Sequence, residues 1–150
     1  MEEIISLLHH GNYSCVVKND TGIHTFSKPG VADLYNLLKN QPGFLKGASL
    51  ADKVVGKGAA TLAIAGGVQE LYADILSEPA LELLIEAGVK TRFGYIVPYI
   101  HNRDRSGWCP LEKLCYTENS VPDILNVIEN FIQLMRNNQR NQSIVLTERK

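Results

Sequence analysis

The 150 residues suffice for one domain with a core that needs no disulfide or metal staple. Hydrophobic residues make up 45% and charged residues 21%, ordinary values for a soluble globular protein, and a formal net charge of -1 gives no basic surface for nucleic acid. No apolar run is long enough for a bilayer, and the acidic start MEEIISLLHH lacks the basic region of a signal peptide, so no membrane partner is expected.

Glu2–His10 reads as a short amphipathic helix stopped by Gly11. Tyr13–Lys18 and Ile23–Ser27 read as two strands joined by the turn Asn19-Asp20-Thr21-Gly22, an opening hairpin. Pro29 and Gly30 break the chain before a helix over Val31–Asn40, with Leu34, Leu37 and Leu38 facing inward. Gln41–Gly47 is a loop. Ser49–Gly67, SLADKVVGKGAATLAIAGG, has small or apolar residues at helical period and is expected to be one deep helix, with Ser49 and Asp52 as a capping box. Lys53 and Lys57 then share a face, where like charges cost about 0.2–0.5 kcal/mol and invite an anion.

Val68–Ile75 is expected to be a buried strand. Ser77 caps the next helix, with Pro79 in its first turn and Gly88 at its end. Phe93–Ile100 is a strand that Pro98 places at an edge or terminates. His101–Trp108 is a charged loop. Pro110 starts a short helix over Cys109–Tyr116, and a last helix spans Val121–Asn137. A single domain over 1–138 is followed by a polar tail, 139–150, in which Ile144–Leu146 could add a short strand. This order gives an α/β class chain: a three-layer α/β/α sandwich around one mixed sheet, with a crevice at the C-terminal ends of its strands.

The three cysteines, Cys15, Cys109 and Cys115, lack disulfide-like density, which points to a reducing, cytoplasmic setting. Cys109 stands at a helix start, where the dipole favours thiolate, and Glu112 opposes that effect. The thiol is either reactive or a small buried cap. His101, Cys109 and Cys115 fit no compact zinc pattern, so zinc is not expected and no cofactor is predicted. His9, His10 and His24 are scattered and read as surface or hairpin residues. Arg103 and Arg105 suit an oxyanion, and Ser77 offers free N–H groups at a helix start; solvated charges and a plain cap explain them equally.

The motifs ADKVVGKGAA, LS-x-x-A and NRDRSGWCPLE together resemble a prokaryotic family, the eighteen-ninety-three domain of unknown function, over most of Asn12–Glu118. That resemblance implies a cytidine-deaminase-like fold. Zinc deaminases carry H-x-E on the central helix and P-C-x-x-C at the start of the next. Here Ala51-Asp52-Lys53 and Ser77-Glu78-Pro79-Ala80 stand at those places, without histidine or cysteine. Two hypotheses follow. One is a module that binds a small anionic or nucleotide-like ligand through Asp52, Lys53, Ser77, Asn102 and Arg103. The alternative is an enzyme with Cys109 as nucleophile, Lys53 stabilising negative charge, and Asp52 or Glu112 handling protons, or a divergent deaminase-like hydrolase. A third reading is a structural or interaction protein. Exposed strand edges would allow a homodimer.

Overall fold

The computed structural model describes residues 1–28, 31–102 and 107–148, with helix side chains through Asn138. Its elements are α1 (Glu2–His10), β1 (Cys15–Asn19), β2 (Gly22–Phe26), α2 (Ala32–Asn40), β3 (Ser49–Val55), α3 (Lys57–Gly66), β4 (Glu70–Ser77), α4 (Glu78–Glu86), β5 (Lys90–Val97), α5 (Pro110–Cys115) and α6 (Val121–Glu148). The strands form one mixed sheet in the order β2-β1-β3-β4-β5. β1 runs antiparallel to both β2 and β3, and β3, β4 and β5 are mutually parallel. This is the three-layer α/β/α sandwich that the sequence implies.

The two helical layers are unequal. On one face α1 lays Ile4 and Leu8 on Val16 of β1 and Ala51 of β3. On the other face, Val17, Leu50, Leu71 and Leu76 meet Leu34 and Leu37 of α2, Leu62 of α3, Leu84 of α4, and Ile124 and Ile128 of α6. Strand alternation produces this division, because neighbouring residues such as Leu50 and Ala51 must face opposite ways. Each fully buried leucine or isoleucine contributes about 1.5–3 kcal/mol.

The expected helix over Ser49–Gly67 is corrected: Ser49–Val55 is a strand and only Lys57–Gly66 is helical. Leu50 and Ala51 are both buried, on opposite faces of the sheet, as a strand covered on two sides allows, and the paired valines favour the pleat. Gly56 separates the two elements in an extended conformation. A Cβ there would lie 2.6 Å from Glu112 Oε2, so the close approach requires glycine. The expected capping box is absent as a consequence. Ser49 Oγ donates to Glu70 Oε1 at 2.6 Å, and Asp52 Oδ1 accepts from the Val54 N–H at 3.3 Å. Lys53 and Lys57 belong to different elements and share no helix face.

The helix does stop at Gly66-Gly67, with Gly67 left-handed at φ 88°. β4 and β5 lie a few residues from their expected spans, and β5 is the edge strand with Pro98 just beyond its end. α6 continues through the expected tail, so Ile144–Leu146 is helical and not a strand.

Candidate functional site

The C-terminal ends of β3 and β4 lead directly into helices, and α5 closes over both. Ser77 ends β4 and caps α4 by accepting the Ala80 N–H at 3.3 Å. Beyond β5 the chain forms an antiparallel bridge between His101 and Trp108, and the Cys109 N–H donates to Ile100 O at 2.8 Å. Pro110 then starts α5, as the sequence indicates, and α5 carries Glu112 inward to 2% exposure.

Both oxygens of Glu112 are engaged. Oε1 accepts the Lys57 N–H at 2.9 Å and the Ser77 hydroxyl at 3.5 Å. Oε2 accepts the Ile100 N–H at 3.0 Å. A carboxylate at the first residue of α3 satisfies an orphan donor and complements the helix dipole. The return contact comes from Lys57, whose buried side chain donates from Nζ to Tyr116 O at the end of α5, 2.9 Å away. Glu112 of α5 therefore caps α3, and Lys57 of α3 caps α5. Cys115 lies fully buried beside this clasp. Burial, with the Glu112 carboxylate adding and Lys57 opposing, pushes its thiol up to about 12.

The expected ligand set does not converge. Ser77 is fully buried beneath Glu112. Asp52 lies directly across from Cys15 of β1, where burial pushes its carboxyl up to about 7. The Cys15 thiol is raised well above its ordinary value, by burial first and then by Asp52 and Asp33. Lys53 reaches Asn12 Oδ1 at 3.1 Å. Asn102 sits beside the bridge, where its side-chain Oδ1 accepts the Gly107 N–H at 3.4 Å. Arg103 and Arg105 lie outside the described residues. Cys109 is half-buried at the start of α5, and its side chain makes no capping bond. Glu112, one of its expected proton partners, has both oxygens committed elsewhere.

Sequence reasoning missed two features. Tyr99 and Trp108 stack at 4.1 Å with planes 8° apart, and His101 and Tyr116 pack against them. On the α1 side, Asp74 Oδ1 accepts from the Tyr72 hydroxyl at 2.7 Å and lies 2.7 Å from His9 Nε2. Burial and that bond push Tyr72 up to about 12. His9 and Asp74 stand 65 residues apart, so no local pattern could pair them.

The donors do not fit the zinc centre that the deaminase resemblance implies. Because Ala51-Asp52-Lys53 is strand, the residues at the start of the central helix are Lys57-Gly58-Ala59, again without histidine, cysteine or glutamate. Glu112 already accepts from two N–H groups and a hydroxyl, and Cys115 is buried beside it. Among the described residues, no group of three or more His, Cys, Asp or Glu side chains is arranged to hold a metal ion. No helix among them is long and apolar enough to cross a membrane.

A family model described as a domain of unknown function, DUF1893, matches residues 3–132. The crystal structure of a DUF1893 family protein from Thermotoga maritima is similar, with a TM-score of 0.79 and 23% identity, over 86% of this chain and 87% of that one. A diaminohydroxyphosphoribosylaminopyrimidine deaminase/5-amino-6-(5-phosphoribosylamino)uracil reductase from Thermotoga maritima is matched at a TM-score of 0.39 and 19% identity, over 63% of this chain and 35% of that one. No curated protein matches the sequence.

Proposed function

The chain belongs to the DUF1893 family, and from that premise we propose that it is a binding protein and not a hydrolase. It takes a small anionic ligand, nucleotide-like in its phosphate or carboxylate, where α3 and α4 begin. Glu112 carries this reading. Two backbone N–H groups and one hydroxyl converge on its carboxylate, and the buried Lys57 stands in the same clasp. Such a set of donors at a helix start suits an oxyanion.

The chain's own carboxylate is the occupant, so a ligand oxyanion takes its place as α5 withdraws. Exposed His101 and Tyr116 stand where the opened crevice meets solvent. The fully reduced cysteines suit the cytoplasm. The enzymatic alternative is less supported, since both Glu112 oxygens bind Lys57, Ser77 and Ile100 and no bond joins Glu112 to Cys109.

Isothermal titration of the full chain with adenosine monophosphate and with inorganic phosphate tests this. The wild type binds weakly, and Glu112→Gln, folded by circular dichroism, binds at least about 10-fold tighter because its side chain competes less. No binding by either protein removes the ligand reading. Stoichiometric zinc in the purified protein removes the non-hydrolytic one.

A further inference from the structure

β5 is one of the two outermost strands of the sheet, β2 being the other, and among the described residues nothing pairs with its outer edge. An eight-residue edge strand offers a row of unpaired N–H and C=O groups. Parallel sheets ordinarily have both faces covered. Here large apolar side chains on both faces of this edge remain exposed.

Phe93 and Ile96 pair in register with Ala73 and Leu76 of the helix-side core, so they face the helices. They are nevertheless 41% and 40% exposed. Ile85, on the α4 helix that packs against β5, is 64% exposed. Tyr95 lies in register with Ile75 of β4 and Val54 of β3, next to the inward residues Leu76 and Val55, and so faces the α1 side. α1 meets this part of the face only through polar contacts, Glu2 with Arg92 of β5 and His9 with Asp74 of β4, both at 2.7 Å, while its apolar packing is on Val16, Ala51 and Tyr72. Tyr95 is 75% exposed.

We propose that a second copy of this chain covers this edge, with the two β5 strands antiparallel about a two-fold axis. The strand's own sequence favours that occupant. Its charges, Lys90 and Arg92, lie in the first half, and Tyr95, Ile96 and Val97 lie in the second. An axis between Gly94 and Tyr95 sets Phe93 opposite the partner's Ile96 and Arg92 opposite the partner's Val97. No like charges then face each other, whereas parallel pairing would set each basic residue on its copy. Tyr95 lies across from the partner's Gly94, an aromatic–glycine pairing that covers exposed backbone.

The two α4 helices meet through Ile85 on one face, while the two tyrosines meet on the other. The result is a ten-stranded sheet continuous through both copies. This inference rests on no part of the ligand reading.

Light scattering coupled to size exclusion, with sedimentation equilibrium of the full chain, provides the test. The wild type runs at twice the monomer mass. The double variant Phe93→Lys, Ile96→Lys, folded by circular dichroism, dissociates with a dissociation constant raised at least about 100-fold. Hydrogen exchange of the β5 amides quickens on dilution of the wild type. The double variant Leu134→Lys, Met135→Lys, on the exposed part of α6, stays dimeric. Three results overturn the proposal: a wild-type monomer at every concentration, including one that captures a different partner; a dimer that persists in the β5 variant; or one that dissociates in the α6 variant.

Discussion

Replacing Asp52 with asparagine should change how stability depends on pH. In the folded chain its carboxyl is pushed from an ordinary 3.8 up to about 7, first by burial, with backbone bonds from Val54 and Lys53 pulling the other way and Asp74 adding to the rise. Between those two values the folded state holds a proton that the unfolded chain has released. Stability therefore falls as pH rises through this window, and the whole cost is present above it. Three units at about 1.36 kcal/mol each make that cost about 4 kcal/mol.

Asparagine keeps an oxygen for the Val54 N–H and carries no charge. The Asp52→Asn variant should thus gain about 4 kcal/mol relative to the wild type between pH ~4 and pH ~8. Comparing the two proteins cancels the titration of groups that do not couple to Asp52. Urea denaturation followed by circular dichroism at both pH values measures it. A stability difference that stays constant within about 0.5 kcal/mol across that range would refute the argument that burial holds this carboxyl neutral.

Glu112→Ala leaves the Lys57 and Ile100 N–H groups without their acceptor; at about 1–3 kcal/mol for each stranded donor, urea denaturation should show a loss of at least about 2 kcal/mol, and Glu112→Gln a smaller one. Gly56→Ala brings a methyl to 2.6 Å from Glu112 Oε2 and should cost about 1–3 kcal/mol, with a lowered thermal midpoint as the measure. Iodoacetamide followed by mass spectrometry should label Cys109 first in the native protein, because Cys15 and Cys115 are buried with raised thiols. Equal labelling rates at all three would show that the core opens faster than the reagent attacks.

Features with local causes were legible in the sequence. The opening helix ends at a glycine and the hairpin carries an Asn-Asp-Thr-Gly turn. Ser77 with Pro79, and Cys109 with Pro110, mark the two later helix starts where the structure has them. β3 was not legible, because a strand covered on two sides need not alternate, and the deciding factor is its pairing with β1 and β4. The same holds for the site. Glu112 stood out beside Cys109, yet its partners Lys57 and Ser77 lie 55 and 35 residues away, joined only by the folded topology. The spacing of Lys53 and Lys57 pairs them only on one continuous helix, and the strand-to-helix change at Gly56 separates them.

The mutual capping of α3 and α5 has a kinetic consequence. α5 has only six residues, and a helix so short would ordinarily fray on its own. Here its release strips the carboxylate from the start of α3 and the ammonium from its own end in one event. Opening is therefore a single cooperative step, slow compared with the loosening of an ordinary surface turn. A molecule that enters by displacing Glu112 must wait for that step. In a stopped-flow experiment its observed association rate would rise with concentration and then level off, at a ceiling set by the protein alone.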